Sequence, residues 1–314
     1  MATMQNLYRN PGSSITYHHD TYDYISPAKY RDTLKGKVVL ITGAGRGIGK
    51  ATALAFAAAG ASVACLARTH SDVENVVRQI EQNGYPRAMA LMEDVADSEA
   101  PGRVIKEIEA TLGPVDVLVN NAGISRVSDI EHEKDIFKSW GVIEVNMRGT
   151  IGFIHAVLPS MISRKTGCII NVVSVLATIS LPYFSAYSSA KAGLIRATQI
   201  MDMEFRPHGI FSYAVHPCMC ADTTLAQGAL NLKAYAKVEG FRQFMSEFQL
   251  SMKDTVALPA DTFVALAADP DAKLMSGKYI DATQDLGEVL NEARKGPDGR
   301  IEKEGLYTLK VDTL

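Results

Sequence analysis

A glycine-rich turn between a buried strand and an alanine-rich helix opens the patterned part of this 314-residue chain. It lies in the run from Val38 to Gly49 and contains Gly43, Gly47 and Gly49. Because glycine lacks a β-carbon, the backbone turns tightly there and a diphosphate group approaches it closely. The amides and the dipole at the start of the following helix favour negative charge. The run predicts a dinucleotide-binding strand–turn–helix unit, and a purely structural turn is the alternative.

From Lys37 onwards, short β-branched runs alternate with amphipathic segments, a pattern typical of βαβ units in a parallel sheet. In chain order the predicted strands cover residues 38–42, 62–66, 88–91, 115–119, 168–173, 211–215 and 278–281. The predicted helices cover residues 48–59, 72–83, 98–111, 134–163, 186–206 and 259–267. Right-handed crossovers then give an α/β fold with a doubly wound parallel sheet, whose ligand crevice lies beyond the carboxyl ends of the strands.

The pattern predicts a single domain, at residues 36–285, with an extension at each end. Residues 1–35 form an N-terminal arm with five tyrosines and no periodicity, and residues 286–314 form a polar C-terminal tail with a turn. The sequence leaves open whether the arm is partly disordered or packs on the body or on a neighbouring subunit. Within the domain, residues 219–256 interrupt the alternation, which predicts a lid over a substrate.

Composition and charge restrict the class of protein. A hydrophobic fraction of 47% and a charged fraction of 21% are typical of a soluble globular protein. The formal net charge of -3 gives no electrostatic reason to expect nucleic acid or a membrane surface as a partner. No apolar run spans a bilayer and the N-terminus lacks the core of a secretory signal, so a cytoplasmic enzyme is expected. The group His216, Cys218 and Cys220 lacks a second Cys/His pair, so no metal site is expected.

The end of the second predicted strand selects between the two nicotinamide dinucleotides. An acidic residue there would hydrogen-bond the ribose hydroxyls of NAD and repel a 2′-phosphate. This chain has Ala67 at that position and Arg68 after it, and Arg46 in the glycine turn is a second cation near the same phosphate. Each hydrogen bond to a charged group contributes about 1.5–3 kcal/mol, so the two arginines together favour NADP(H) by about two orders of magnitude or more.

Two residues of a later predicted helix form a candidate proton-transfer pair. Tyr187 and Lys191 are four positions apart, so their side chains share one face of the helix. At about 4 Å and an effective dielectric constant near 20, the pair gains roughly 4 kcal/mol, which would lower the phenol pKa from about 10 to near 7. Ser174 lies thirteen positions upstream at the end of a predicted strand. The spacing alone is common in helices, so its interpretation depends on the surrounding motifs.

Taken together, the motifs resemble those of the short-chain dehydrogenase/reductase family. The motifs that carry the resemblance are Thr42-Gly43-x-x-x-Gly47-Ile48-Gly49, Asn120-Asn-Ala-Gly123, Asn146, Ser174 and Tyr187-x-x-x-Lys191. The resemblance covers about residues 36–285 and implies a Rossmann-type domain of seven parallel strands that binds a nicotinamide dinucleotide. It also implies a homo-oligomer, a dimer or tetramer, with the helices around 134–163 and 186–206 as the usual surfaces. The chain is similar in overall appearance to fungal members associated with secondary metabolism.

The resemblance implies a role for each matching residue. Ser174 holds the substrate carbonyl, Tyr187 donates or accepts the proton, and Lys191 binds the nicotinamide ribose and lowers the tyrosine pKa. Asn146 positions a water in the proton relay. Asp94 and Val95 lie at the adenine in this interpretation, and the Asn-Ala-Gly loop lies under the adenine ribose. The full set expected to contact the dinucleotide is Gly43, Arg46, Gly47, Ile48, Gly49, Arg68, Asp94, Val95, Asn121, Ala122, Gly123, Tyr187, Lys191, Pro217 and Thr223.

One segment departs from the family pattern. After the sixth strand the family has Pro-Gly and then a threonine near the nicotinamide carboxamide. This chain has Cys218 after Pro217, and its threonines, Thr223 and Thr224, fall about one residue late. The nicotinamide contacts and the starting angle of the lid therefore remain open at this stage.

We therefore expect an NADPH-dependent oxidoreductase, most simply a ketoreductase, that transfers a hydride between nicotinamide and a carbonyl or secondary alcohol. If residues 176–184 and the aromatic side chains of the lid face the cofactor, they form a large apolar pocket. The expected substrate is then bulky and hydrophobic. These lid residues are Tyr235, Phe241, Phe244 and Phe248. The alternatives are a non-redox isomerase, dehydratase or cyclisation catalyst, and an NADP(H)-binding regulatory protein. Neither alternative needs all four of Asn146, Ser174, Tyr187 and Lys191.

Overall fold

Seven parallel strands form one sheet in the computed structural model, which describes residues 13–310 except 129, 132, 134, 222 and 224–251. In chain order the strands are β1 (Val38–Thr42), β2 (Ser62–Ala67), β3 (Ala88–Met92), β4 (Val117–Asn120), β5 (Gly167–Val172), β6 (Ile210–His216) and β7 (Tyr279–Asp281). Their order across the sheet is β3-β2-β1-β4-β5-β6-β7, and every pairing is parallel. The predicted α/β fold with a doubly wound, Rossmann-type sheet is confirmed.

Helices connect the strands and extend beyond the last one. The longer helices are α1 (Gly47–Ala58), α2 (His70–Gln82), α3 (Ala100–Thr111), α4 (Ile136–Ile143), α5 (Thr150–Arg164), α6 (Ser185–Phe205), α7 (Ala257–Ala268) and α8 (Leu286–Ala293). Short helical turns occupy Pro27–Tyr30 and Arg300–Lys303, and 3₁₀ turns occupy Asp23–Ile25, Val175–Ala177, Arg206–His208, Ala272–Met275 and Gly296–Asp298. In the described part of the chain, no helix is both long and apolar enough to cross a membrane.

The prediction of one continuous α-helix over residues 134–163 was wrong in one respect. A π-helical turn, Glu144–Gly149, separates α4 from α5. A β-carbon at Gly149 would lie 2.5 Å from the carbonyl oxygen of Val95, so this glycine permits close contact with the loop after β3. π-helical turns within helices are frequent at functional sites, and this one contains Asn146.

The core lies on both faces of the sheet, as alternation along β1 shows. Val39 and Ile41 belong to the cluster that contains Phe56 of α1 and Phe263 of α7. Leu40, between them, belongs to the opposite cluster with α5. Successive side chains of a strand point to opposite faces, so a strand covered by helices on both sides is apolar throughout. This burial holds the strand ends, and the residues that follow them, in place.

The described part of the N-terminal arm packs on the body of the same chain. The hydroxyls of Tyr24 and Tyr30 donate to Asp269 Oδ2, at 2.9 and 3.1 Å. The hydroxyl of Tyr22 accepts a hydrogen bond from the amide of Leu286, at 2.7 Å. Buried tyrosines need a partner for the hydroxyl, and here the C-terminal part of the body supplies it.

The prediction of a polar tail after residue 285 was wrong for its first part. Leu286, Val289 and Leu290 are spaced to share one helix face, and they are buried in α8. The Asp285 carboxylate caps this helix by accepting from the amide of Glu288. Further along, the carbonyl of Tyr307 accepts from the amide of Tyr279, at 2.8 Å, and so covers the edge of β7.

The stability of the fold is expected to depend on pH through the buried carboxyl of Asp261 in α7. Burial raises its pKa from 3.8 to about 6, and a hydrogen bond with Thr21 opposes this rise. The folded state therefore binds the Asp261 proton more tightly than the unfolded state does. The stability that this proton gives the fold is complete below about pH 4 and is lost as the pH rises through about 6. We expect Asp261→Asn to raise the melting temperature at about pH 7 and to change it little near pH 4, as calorimetry would measure. An equal effect at both pH values would contradict this origin.

Candidate active site

A cleft of about 410 Å³ opens at the carboxyl ends of the strands. It lies where the strand order reverses between β1 and β4, the usual ligand position in open α/β sheets. Every residue predicted to contact the dinucleotide lines this cleft, from Gly43 at one end to Pro217 and Thr223 at the other. Of the four predicted catalytic residues, Ser174, Tyr187 and Lys191 line it, and Asn146 lies buried behind it.

The glycine turn after β1 leaves no room for a side chain at Gly43 or Gly49. Gly43 has a φ of +69°, and a β-carbon there would lie 2.9 Å from the α-carbon of Ala122. A β-carbon at Gly49 would lie 2.1 Å from the carbonyl oxygen of Gly43. The turn leads directly into α1, whose first amides face the cleft end of the sheet. This cradle fits a diphosphate, which needs close approach to the backbone.

Side-chain hydrogen bonds hold the glycine turn against the end of β4. The Asn121 amide donates from Nδ2 to the carbonyls of Thr42 and Gly43, at 3.0 and 3.2 Å. The hydroxyl of Thr42 accepts from the amides of Asn121 and Ala122, both at 3.0 Å. Four hydrogen bonds thus join these two neighbouring loops into one unit that lines the cleft. The motifs Thr42-Gly43 and Asn120-Asn-Ala-Gly123 are therefore parts of one hydrogen-bonded arrangement.

At the end of the cleft that follows β2 and β3, the expected cations are present together with an acid that the sequence motifs did not indicate. Arg46 and Arg68 are exposed at the cleft, and Arg68 Nη1 lies 4.0 Å from Asp94 Oδ2. Asp72 also lines the cleft, close to Gly45. Asp72 lies in the first turn of α2, where an acidic residue interacts favourably with the helix dipole. An acidic residue just after the second strand, at the start of a predicted helix, is the feature of the sequence from which it could have been recognised.

The predicted catalytic residues Ser174, Tyr187 and Lys191 come from the end of β5 and from the first turns of α6. Ser174 follows β5, and its hydroxyl accepts from the amide of Leu176 at 3.2 Å. Tyr187 is buried on α6 and lines the cleft together with Ser174. Lys191, one turn later, donates from Nζ to the carbonyl of Val172 at 2.7 Å and lies 5.8 Å from the centroid of the Tyr187 ring. The three side chains therefore meet at one end of the cleft.

The predicted lowering of the tyrosine pKa to near 7 is not found in this structure. Burial raises the pKa of Tyr187 from 10.0 to about 12, and the hydrogen bond with Ser174 opposes the rise. Burial also lowers the pKa of Lys191 from 10.5 to about 7. The expectation assumed a charged ammonium at about 4 Å in a well-screened medium, whereas desolvation disfavours both charged forms here. Tyr187 therefore holds its proton at neutral pH.

Asn146 occupies the π-helical turn and is completely buried. Its Nδ2 donates to the carbonyls of Ile124 and Val142, at 2.7 and 2.8 Å. Its Oδ1 is buried and has no hydrogen-bond partner among the described residues. A β-carbon at Gly123 would lie 2.7 Å from this oxygen and 3.7 Å from Lys191 Nζ, so both polar atoms border the same glycine. A buried oxygen fixed in this way fits the relay position that the sequence predicted.

His216 is a further residue of the site whose role the sequence did not indicate. It ends β6, is buried, and lines the cleft. Its Nδ1 accepts a hydrogen bond from the amide of Val175, at 3.2 Å, immediately after Ser174. Burial lowers the pKa of His216, which keeps the imidazole neutral and able to accept. In the sequence, His216 stood out only as a possible metal ligand beside Cys218 and Cys220.

Apolar residues surround the catalytic end of the cleft. Leu176 and Phe184 line it and pack with Val142 and Tyr187 in one buried cluster. Ile124 and Leu181 pack against that cluster. Most of the predicted lid, including Tyr235, Phe241, Phe244 and Phe248, lies outside the described residues.

The residues of the cleft fit a nicotinamide dinucleotide, with a glycine cradle at one end and a tyrosine, serine and lysine at the other. Fold and site together define a Rossmann-type, dinucleotide-binding class of enzyme. The family model described as short chain dehydrogenase matches residues 37–232.

Three relatives agree with that match. A short chain dehydrogenase of Pseudocercospora fijiensis is 38% identical over 305 residues, which are 96% of this chain and 98% of the relative. A short chain dehydrogenase of Monascus purpureus is 34% identical over 294 residues, 91% of this chain and 94% of the relative. A 3-oxoacyl-[acyl-carrier-protein] reductase of Synechocystis is 36% identical over 247 residues, 78% of this chain and 94% of the relative. The chain belongs to the short-chain dehydrogenase/reductase family of oxidoreductases, and its similarity to fungal members is confirmed.

Proposed function

We propose that this protein is an NADPH-dependent reductase of a carbonyl group on a bulky hydrophobic small molecule. The observation that carries the proposal is the placement of Ser174, the buried Tyr187 and Lys191 together at one end of the dinucleotide cleft. A phenol with a pKa of about 12 is a proton donor at neutral pH, and reduction of a carbonyl requires a donor. The opposite direction, oxidation of an alcohol, requires the same group as an acceptor.

The residues of the chain have separate roles in this reaction. When bound, NADPH supplies a hydride to the carbonyl carbon. The hydroxyls of Ser174 and Tyr187 hold the carbonyl oxygen, and Tyr187 transfers its proton to that oxygen as negative charge develops. With a pKa of about 7, Lys191 exchanges a proton near neutral pH and replenishes the phenol. The buried Oδ1 of Asn146 anchors the water through which that proton arrives.

The proposed substrate class follows from the side chains beside Tyr187. Leu176 and Phe184 present apolar surface to the cleft, so a hydrophobic body next to the carbonyl would be desolvated favourably. The Synechocystis relative is named as a reductase of 3-oxoacyl groups on a carrier protein, which supports carbonyl reduction. We keep residues 219–256 as the proposed lid over this substrate.

The proposed preference for NADP(H) predicts a selective effect of the two arginines at the adenine end. Replacing both Arg46 and Arg68 by alanine should raise the KM for NADPH by about two orders of magnitude, because each loses a charged hydrogen bond to the 2′-phosphate. The KM for NADH should change little. Initial rates with both dinucleotides measure the effect, and Arg78→Ala, on the exposed side of α2, is the matched control. An equal rise for NADH would contradict the preference, as would a wild-type enzyme that favours NADH because of Asp72.

The alternatives to a reductase are a non-redox catalyst on the same scaffold and an NADP(H)-binding regulatory protein. The proposal is tested by the absorbance of NADPH in the presence of a panel of hydrophobic ketones. A reductase consumes NADPH only when a suitable ketone is present. Tight binding of NADPH without consumption for any ketone would favour the alternatives.

We also propose a cytoplasmic homo-oligomer that associates through α5 and α6. Four large apolar side chains of these helices are exposed in the single chain, namely Ile151, Ile162, Ile200 and Met203. Large apolar side chains exposed on helix surfaces are typical of an interface. Light scattering of the purified protein distinguishes a dimer or tetramer from a monomer.

A further inference from the structure

Asp254 connects the N-terminal arm to the wall of the cleft. Its Oδ1 lies 2.6 Å from His19 Nδ1, and its Oδ2 accepts from the amide of Met219 at 2.7 Å. The Asp254 side chain is only 6% exposed. Met219 lines the cleft, whereas His19 and Asp254 both lie outside the region that matches the family model. One buried carboxylate thus joins a residue of the arm to the backbone of the dinucleotide site.

The residue before the amide that Asp254 binds, Cys218, has an unfavourable backbone conformation. Cys218, in the position where the family has glycine, has a φ of +155°. Such a φ costs a residue with a β-carbon on the order of 1–3 kcal/mol, so neighbouring contacts must hold it in place. The bond from the Met219 amide to Asp254 is the first hydrogen bond after this residue. A hydrogen bond to a charged group contributes about 1.5–3 kcal/mol, which is comparable to the strain.

The arm holds this carboxylate from two sides. The carbonyl of His19 accepts from the amide of Thr255 at 2.9 Å, in addition to the contact of its imidazole with Asp254. The hydroxyl of Thr255 donates to Asp20 Oδ1 at 2.5 Å. His18, one residue earlier, contacts a different part of the body, through Asp285 at 2.9 Å. The two neighbouring histidines therefore contact different parts of the body, and of these two His19 is the one that reaches the carboxylate bonded to the cleft wall.

We propose that His19 is a positioning residue for the dinucleotide site. Through Asp254 it fixes the peptide between Cys218 and Met219, and so the wall that faces the nicotinamide half of NADP(H). Without the imidazole, Oδ1 of Asp254 loses its donor, the carboxylate is free to rotate, and the strained peptide relaxes away from the binding geometry. The inference rests on the proposed function, because it takes the cleft to be the NADP(H) site.

The test compares the dissociation constants of NADPH and NADH for full-length variants, measured by nicotinamide fluorescence. His19→Ala should weaken binding about tenfold, which corresponds to loss of one charged hydrogen bond. His19→Asn should restore most of the affinity, since its amide nitrogen replaces Nδ1. Adding His19→Ala to Asp254→Ala should cause no further loss, because His19 acts through that carboxylate. His18→Ala is the matched control: it loosens the arm and lowers the melting temperature but should leave affinity unchanged.

Wild-type affinity for His19→Ala would overturn the proposal, and so would an equal loss for His18→Ala, which would indicate general loosening of the arm. An additive loss in the double variant would overturn the route through Asp254. If the wild type binds NADH better than NADPH, the proposed cofactor preference fails, and the same comparison with NADH still tests His19. If the wild type binds neither dinucleotide, the proposed function and the inference both fail.

Discussion

Tyr187→Phe is expected to lower kcat for ketone reduction by about 10²–10⁴-fold, the usual contribution of a general acid. The dissociation constant of NADPH should stay within about twofold, because phenylalanine fills the same buried space and only the hydroxyl is lost. Ser174 then remains to hydrogen-bond the substrate oxygen in the proposed mechanism. Single-turnover kinetics and fluorescence titration on the same preparation separate the two quantities.

A second tyrosine provides the matched control for this substitution. Tyr30 is also buried, and its hydroxyl donates to Asp269 far from the cleft. Tyr30→Phe therefore removes one buried hydrogen bond with no expected change in kcat. Turnover by Tyr187→Phe at the wild-type rate would show that the proton comes from another group, and an equal loss in Tyr30→Phe would attribute the effect to destabilisation.

Gly49→Ala is expected to abolish detectable binding of NADPH. The new β-carbon would lie 2.1 Å from the carbonyl oxygen of Gly43 and 2.6 Å from Nδ2 of Asn121. Both neighbours belong to the unit that joins the glycine turn to the end of β4, so the turn must open and the diphosphate cradle is lost. Titration with NADPH, together with circular dichroism to establish that the sheet is intact, measures the effect.

Gly102→Ala is the matched control, because a β-carbon there meets no atom within 4 Å. Gly102 lies in α3, where alanine favours the helix by about 1 kcal/mol, so this variant should bind NADPH normally and melt slightly higher. Normal NADPH binding by a folded Gly49→Ala protein would contradict the placement of the diphosphate at this turn.

The sheet and the cleft could be predicted from the sequence because their signals are local. β1 was predicted with the bounds Val38 to Thr42 that the structure has, since both of its faces are buried and the glycine turn ends it. Parallel strands place their carboxyl ends at one edge, so residues from 43 to 223 meet in one cleft once the strands are known. These motifs could be recognised in the sequence without information on the tertiary packing around them.

The remaining features depend on tertiary burial, which short patterns do not encode. The spacing of Tyr187 and Lys191 indicated proximity, but burial decided the direction of both pKa shifts. The π-helical turn at Asn146 ends at Gly149, which packs closely on Val95 in the loop after β3, a contact between distant parts of the sequence. His19 and Asp254 are 235 residues apart, and neither belongs to a motif that would pair them.

The most direct test of the central claim is the fate of deuterium in NADPH labelled at C4 of the nicotinamide. The label is placed in turn on each face of the ring, and the alcohol product of a hydrophobic ketone is examined by mass spectrometry and NMR. Hydride transfer predicts that, for one of the two faces, each product molecule carries one deuterium on the former carbonyl carbon, with one NADP⁺ formed per product. A product without deuterium from either label, or product formation without NADP⁺, would contradict a reductase.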